Sequence, residues 1–505
     1  MKICIVVEGA YPYVQGGVSS WVHTLASQLP EYEFVIQTII ASHDDSGKFK
    51  YKLPDNVTDL RESFLEDDDI YSRRNLKLEL TPREREAMKT LIFGENEQWE
   101  VIFDMFKHNS VSVNRLLMGN DFYDLVWEYY QERYNRVTYT DFVWTCRSMF
   151  LPIFLILKNK ILKADLYHTI STGYAGLVAA YAGYANKKPV MLTEHGIYTR
   201  EREEEIIRAG WTHGIYKDLW IEHFRTMSRC IYNFADNVIS LFEDARQLQI
   251  EYGCGPEKTQ VIRNGIKYDA FQRIPRKDPN DDHINICAVV RVTPIKDIKT
   301  MINAFHFARE KNPLLRLYII GPTDEDEQYY SECLEVIKML GAEGITFTGY
   351  VNLREWFGKM DMFLLTSISE GQPISLLEAM AASIPIITTD VGNCREMIKA
   401  DDADNCAGIS VSVMNVGQIT AAILQLAEDP GMRRFMGANA NRIADRLYRE
   451  SDFIDAYRRK YLDVYNNHMT KIMDSFDFRE FGTQSNRSAS PTNLPISAAA
   501  ILDSL

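Results

Sequence analysis

A chain of 505 residues is too long for one small module and holds material for two to four folding units. Hydrophobic residues make up 46% and charged residues 25%, the balance of a globular protein with more than one core. The 56 Lys and Arg against 70 Asp and Glu give a net charge of −14, whose field repels nucleic acid and anionic membrane, so no nucleic-acid partner is expected.

Residues 3–7 (Ile-Cys-Ile-Val-Val) form an apolar run too short for a signal peptide and without a small-residue cleavage site. They read as a buried strand. The turn Gly16-Gly17 follows, then a helical pattern over 18–29 with Val18, Trp21, Val22, Leu25 and Leu29 on one face. Residues 34–40 are the next strand. An insertion over about 42–160 is largely helical in pattern, and Thr81-Pro82-Arg83-Glu84 has the form of a capping box. Residues 122–144 are dense in Tyr, Trp and Phe, which either pack the insertion onto its host or offer a surface to an acceptor or partner. The most apolar stretches, 149–157 (broken by Pro152) and 173–185, fall short of the about 20 residues of a membrane span, so none is expected.

Strands resume at 166–169, 190–193 and 238–241, and a polar, Pro-containing linker follows at 273–282. The second region repeats the theme, with strands at 284–290, 315–320, 345–348, 362–366 and 384–388 and helical stretches between most of them. Fully apolar strands alternating with helices imply parallel sheets covered on both faces. The fold class is therefore α/β with two doubly wound domains. They are expected over residues 1–280 and 281–450. A helix over 451–475, with Phe453, Ala456, Tyr457, Tyr461 and Tyr465 on one face, is expected to cross back to the first domain. Residues 482–505 have too few large apolar groups to order themselves, and their last ten could form a short helix. The eight cysteines are scattered with no CxxC pair, which removes zinc-ribbon and redox-motif readings and suits a reducing compartment.

The chemistry concentrates after the strand 362–366. Glu370-Gly371-Gln372-Pro373-Ile374-Ser375 runs into a helix expected over 376–382, and a helix start presents unpaired N–H groups that suit phosphate. Glu370 and Glu378 would flank one ligand there, taking hydroxyls of a sugar and of a ribose. Alternatively, Ser375-Leu-Leu-Glu378 is itself a capping box, which would account for Glu378 without a ligand. Arg291 and Lys296 follow the strand 284–290 and would set two cations beside the same crevice, able to stabilise a departing diphosphate without a metal. Taken alone, such charges also read as solvated surface. The Asp-x-Asp spacings in Glu66-Asp67-Asp68-Asp69 and Asp324-Glu325-Asp326 suggest a divalent cation, but neither follows a strand as such a site requires.

The set Arg291…Lys296, Glu370-Gly371…Glu378-Ala379, Gly349-Tyr350-Val351 and Asn264-Gly265…Asp269…Phe271 resembles family 4 of the retaining glycosyltransferases, which have the GT-B fold. Gly16-Gly17, His168 and Thr193-Glu194-His195-Gly196 agree in the first domain. The resemblance implies two Rossmann-like domains facing a cleft, a UDP-sugar donor, no required metal and no permanently bound cofactor. Arg291 and Lys296 would hold the diphosphate, Glu370 the donor sugar and Glu378 the ribose. Backbone amides of Ile374 and Ser375 would contact the distal phosphate, Tyr350 and Val351 the base, and Gly17 the reacting groups. His195 would orient or stabilise; a purely structural histidine is the other reading. Gln372-Pro373 stands where many relatives have Phe-Gly, and Val391-Gly392-Asn393 where they have Val-Gly-Gly. The implied activity is transfer onto a growing exopolysaccharide, in the cytoplasm and beside membrane-bound synthesis partners. An epimerase or phosphorylase of similar fold, and a non-catalytic scaffold subunit, are the alternatives.

Overall fold

The computed structural model describes residues 1–475 other than 15, 66–78, 108–110, 273, 275, 276, 279 and 400–405. The tail 482–505 and part of the linker 273–282 therefore lie outside the described residues. Two parallel sheets organise the chain. The first contains β1 (Lys2–Glu8), β2 (Glu33–Ile40), β3 (Val57–Phe64), β4 (Leu166–Thr169), β5 (Val190–Glu194), β6 (Asn237–Ser240) and β7 (Thr259–Val261), in the order β3-β2-β1-β4-β5-β6-β7. The second contains β8 (Ile284–Val289), β9 (Leu315–Ile320), β10 (Ile345–Gly349), β11 (Met362–Leu365), β12 (Ile386–Thr389) and β13 (Gly408–Val411), in the order β10-β9-β8-β11-β12-β13. Strand order reverses between β1 and β4, and again between β8 and β11. Such switch points open ligand crevices at the strands' carboxyl ends.

The central strands are apolar throughout because helices cover both faces: Ile3 to Val7 and Ile286 to Ala288 are all fully buried. The helix Gly17–Gln28 lays Trp21, Val22, Leu25 and Ala26 on the first sheet. The long helix Glu450–Ser475 joins that same cluster through Phe453, Ile454, Tyr457, Tyr461 and Val464, so it packs on the lobe opposite the one it leaves. Its seat differs slightly from the expected face: Ile454 and Val464 are buried, whereas Ala456 and Tyr465 are only half-buried. At the hinge Ile266 N donates to Tyr448 O and Glu450 N to Ile266 O, both at 2.9 Å. A Cβ on Gly265 would stand 2.6 Å from the Arg449 carbonyl, so only glycine lets the linker lie this close.

Two expectations about the insertion change. It begins after β3 rather than at residue 42, because Val57–Phe64 pairs in parallel with β2. This edge strand carries Asp59, Arg61 and Glu62 and lacks the apolar run that marks the buried strands. The helix Tyr139–Lys158 also runs unbroken through Pro152. Packing compensates for the lost N–H: Cys146, Phe150, Ile153, Phe154 and Leu157 are buried in the first lobe's core. Among the described residues it is the one helix long and apolar enough to cross a membrane. Of the dense aromatic stretch, Phe122, Tyr129 and Phe142 are buried while Trp127 and Trp144 are about half exposed. The capping box at Thr81 forms: Glu84 N donates to Thr81 Oγ1 at 3.3 Å and Thr81 N to Glu84 Oε2 at 2.8 Å.

Candidate active site

Two loops of the second lobe are stitched together at the carboxyl ends of β8 and β11. Thr366 Oγ1 donates to the carbonyls of Lys296 (3.0 Å) and Asp297 (3.1 Å), and Ile368 N donates to Ile295 O (2.8 Å). Asp297, in left-handed conformation at φ 48°, turns the chain into the helix Ile298–Lys311 and caps it by accepting from Thr300 N. This bracing brings Lys296 Nζ to 2.6 Å from Glu370 Oε1, which also accepts from Ser367 Oγ at 2.6 Å. The two charged side chains are only 15% and 10% exposed. A positive and a negative group are thus held at one spot on the crevice wall, where each is worth more than in bulk water.

Beside them starts the helix Ile374–Ala381, two residues earlier than its apolar pattern suggests. Ser375 lies inside the helix and the cap position is Pro373, with no side-chain cap. The capping box over 375–378 does not form, because a capping side chain must stand before the first turn. The N–H groups of Ile374, Ser375 and Leu376 therefore keep their hydrogens for a ligand. Glu378 is half-buried, and its carboxylate takes no hydrogen bond or ion pair among the described residues. Burial pushes its carboxyl up to about 7, with Arg354 pulling the other way. Gly392, at φ 50°, fits under this loop because a Cβ there would run into the Glu370 and Gly371 carbonyls. Asn393 N donates to Gly371 O at 3.0 Å, so the departure at 393 keeps the loop's backbone tied down. Tyr350 and Val351 follow β10 on the next turn out, Tyr350 72% exposed and Val351 half-buried.

The first lobe supplies the opposite wall. Gly17 opens the helix Gly17–Gln28, with nothing within 4 Å of where a Cβ on Gly16 or Gly17 would lie. His195 follows β5 and stands edge-to-face against Trp21 at 4.6 Å between ring centroids. Its Nε2 is buried without a partner, and burial lowers its titration to about 4, so the ring is neutral at pH 7. His195 therefore offers a ring nitrogen and a carbonyl rather than a positive charge. That carbonyl would stand 2.5 Å from a Cβ on Gly371, which marks where the two lobes meet. Near this seam a hydrogen bond runs from Asn264 N to Gln372 Oε1 at 2.7 Å. The glutamine at 372 thus ties the loop before the helix Ile374–Ala381 to the hinge. Sequence reasoning missed this bond, as it missed Ser367, whose partner Glu370 lies 3 residues on, and Trp21, whose partner His195 lies 174 residues on.

Trp21 also meets Tyr457 at 5.3 Å. Tyr457 OH and His168 Nε2 both reach Thr193 Oγ1, at 2.9 and 2.8 Å, and Tyr461 OH reaches His168 Nδ1 at 2.8 Å. His168, buried with its titration pushed down to about 3, is a structural link in this chain. Glu194 is buried and fully served, accepting from Tyr198 N (3.1 Å), Tyr232 OH (2.8 Å) and Gln249 Nε2 (3.0 Å), and burial pushes it up to about 7.

Arg291 does not join Lys296. Its Nη1 pairs with Glu325 Oε2 at 2.9 Å, and its side chain is half exposed. The acidic run at 324–326 is dispersed: Glu325 holds Arg291, and Asp326 caps the helix Glu327–Leu340 by accepting from Tyr329 N at 2.8 Å. The run at 66–69 lies outside the described residues. Among the described residues no group of three or more His, Cys, Asp or Glu side chains is placed to hold a metal ion.

Two parallel, doubly wound sheets in two lobes, with a lysine–glutamate pair beside an open helix start, have the GT-B fold. The chain belongs to the family described as "Domain of unknown function (DUF3492)", matched over residues 1–257, just over half its length, and residues 271–443 match "Glycosyl transferases group 1". Relatives include a D-inositol 3-phosphate glycosyltransferase of Kribbella flavida, 26% identical over 39% of this chain and 49% of that protein. An MMP alpha-(1->4)-mannosyltransferase of Mycolicibacterium hassiacum is 24% identical over 52% of this chain and 62% of that one. The chain spans about half the length of the curated relatives it matches. In fold it is similar to Anabaena HepE, solved with UDP and glucose, at TM-score 0.58 and 15% identity over 91% of this chain and 99% of that one. Sucrose-phosphate synthase of Thermosynechococcus elongatus gives TM-score 0.58 at 14% identity, over 92% and 99%.

Proposed function

We propose that the protein transfers a hexose or N-acetylhexosamine from a UDP-sugar onto a growing exopolysaccharide, with retention of anomeric configuration and without a metal. The observation that carries this reading is the Lys296–Glu370 pair beside the unoccupied N–H groups of the helix Ile374–Ala381. The diphosphate lies on that helix start and on Lys296, with Arg291 leaving Glu325 to join it. Glu370 takes donor-sugar hydroxyls, Glu378 takes the ribose, and Tyr350 and Val351 border the base. HepE, similar in fold, binds UDP and glucose, which supports a UDP-sugar as donor.

As the glycosidic C–O bond breaks, charge gathers on the leaving phosphate. The fixed lysine and helix N–H groups stabilise it there, where they cost no reorganisation. The acceptor hydroxyl attacks from the leaving-group face and its proton passes to a departing phosphate oxygen, so the protein supplies positioning and electrostatics. His195, neutral at pH 7, orients the reacting sugar rather than forming a covalent bond.

The order of elements, the long insertion and the run Glu194-His195-Gly196-Ile197-Tyr198…Arg200-Glu201-Arg202 resemble PelF, the cytoplasmic transferase of Pel exopolysaccharide in biofilms. That resemblance points to a cytoplasmic protein at the inner face of the membrane, docked on membrane-bound synthesis partners. A donor panel scored by UDP release tests the reading. UDP appears only when acceptor is supplied, and activity persists in excess EDTA. A strict Mn²⁺ requirement overturns metal independence, and the absence of any UDP-sugar affinity overturns the transferase in favour of a scaffold.

A further inference from the structure

The chain crosses between the lobes twice, and the two crossings are joined. Ile262 packs against the first lobe's core and Ile266 lies in the second's, while Tyr448 belongs to the second and Phe453 to the first. A change in the angle between the lobes is therefore absorbed within residues 263–265 and 449–452. Ile266 bonds to both Tyr448 and Glu450, and Gly265 lies against Arg449, so the two crossings act as one hinge. Asn264 stands at its centre.

Asn264 N donates to Gln372 Oε1 at 2.7 Å, with the two residues only 4% and 6% exposed. Gln372 lies midway between Glu370 and Ile374, the start of the helix assigned to the diphosphate. Its neighbour Gly371 lies against the His195 carbonyl of the first lobe, and the Gly371 carbonyl accepts from Asn393 N of the second at 3.0 Å. The loop 370–373 thus meets both lobes and the hinge within two adjacent residues. Pro373 has no N–H to offer, so a side chain makes the tie to Asn264. Phe, which many relatives carry at this position, has no acceptor and could not make it.

The pair also keeps bonding capacity in reserve. Asn264 Oδ1 and Gln372 Nε2 are both buried without a partner among the described residues. One accepts and the other donates, and burial without a partner is costly for each. As the hinge turns, the two carboxamides can exchange the Asn264 N–H bond for one from Gln372 Nε2 to Asn264 Oδ1. The loop then stays tied at either lobe angle.

We propose that Gln372 is a positioning residue, whose carboxamide carries the setting of the hinge to the loop 370–373, so that donor binding and lobe angle move together. It acts through Glu370 and the helix start rather than on the substrate. Such coupling is reciprocal, so a diphosphate bound at the helix start also resets the hinge. This rests on the donor reading given above.

Hydrogen–deuterium exchange of the full chain, with and without UDP, tests the coupling in the segments 262–268 and 366–377. In wild type UDP is expected to slow exchange in both. Gln372→Met keeps the side chain's length and removes the acceptor, whereas Gln372→Glu keeps the acceptor. In Gln372→Met the Asn264 amide is expected to exchange roughly 2- to 10-fold faster without UDP, the effect of one lost hydrogen bond. UDP still protects 366–377 in that variant but no longer protects 262–268, and Gln372→Glu responds as wild type does. A merely structural glutamine would leave the two responses linked. Protection of 262–268 that survives in Gln372→Met overturns the coupling and leaves the donor reading intact. So does wild type protected at 366–377 alone, an outcome that needs no variant to fold. Absence of protection at 366–377 in wild type overturns the donor reading and the coupling together.

Discussion

The two walls of the cleft differ in charge: the second lobe presents a fixed ion pair beside an open helix start, the first a neutral ring. On the second lobe Lys296, Glu370 and Ser367 satisfy one another, and backbone bonds from Thr366 and Ile368 fix the loops that carry them. On the first lobe the groups nearest the seam are uncharged rings, His195 and Trp21, whose Nε2 and Nε1 are buried unpaired. The contrast fits a division of labour. In the proposed transferase the charged wall takes the diphosphate with its dipoles already in place, because reorienting them during bond breaking would cost rate.

The most severe way to break that comparison is to remove the preorganised cation. Lys296→Ala is expected to lower transfer by roughly 30- to 1000-fold, about 2–4 kcal/mol of transition-state stabilisation, with the fold retained but Tm lowered because Glu370 loses its buried cation. Wild-type turnover would detach the lysine from the diphosphate. Next comes Glu378. Its carboxyl titrates near 7 in the free protein, and ribose hydroxyls favour the ionised form, so the bound group titrates lower. Binding therefore takes up no proton above that pH and must release one below it. Affinity for UDP-glucose, whose diphosphate does not titrate in this range, is expected to be full above about 7 and to fall as pH drops, by up to about tenfold per unit. Glu378→Gln flattens this profile and weakens binding at pH 8 by roughly tenfold; a pH slope that survives the substitution places the titrating group elsewhere.

Gly371→Ala probes the seam itself. A Cβ there would stand 2.5 Å from the His195 carbonyl, so the lobes are wedged apart. The expected result is a fall in kcat of at least about tenfold with UDP affinity retained, since a misplacement of this size costs orientation. Parallel losses in kcat and UDP affinity would move the defect into the donor pocket. The smallest effect belongs to Tyr457→Phe, which removes one bond to Thr193 Oγ1 behind His195. It is expected to cost about 0.5–1.5 kcal/mol of stability, read by denaturant unfolding, with donor binding intact. A neutral outcome would show that apolar packing alone seats the crossing helix.

The second lobe was far more legible than the first. Ile284 to Val289 and Met362 to Leu365 announce themselves because strands buried on both faces must be apolar throughout. Lys296, Glu370 and Glu378 could be placed together because each follows such a strand or opens the helix after it. β3 escaped notice because an edge strand needs no apolar run, and Pro152 misled because core packing outweighs one lost hydrogen bond. Ser375 misled in another way: its spacing to Glu378 is that of a cap, but only the chain's path decides whether the residue lies before the helix or in it. Arg291 was placed at the right strand end, yet its partner Glu325 lies 34 residues on, a contact that no local pattern encodes.

The donor seat at the start of the helix Ile374–Ala381 carries the account, and calorimetric titration of UDP at pH 8 tests it most directly. Wild type is expected to bind, with Lys296→Ala and Glu378→Ala each weaker by roughly tenfold or more and Lys299→Ala, paired with Glu332 instead, unchanged. Equal affinity across all four proteins, or no binding by any of them, would contradict it.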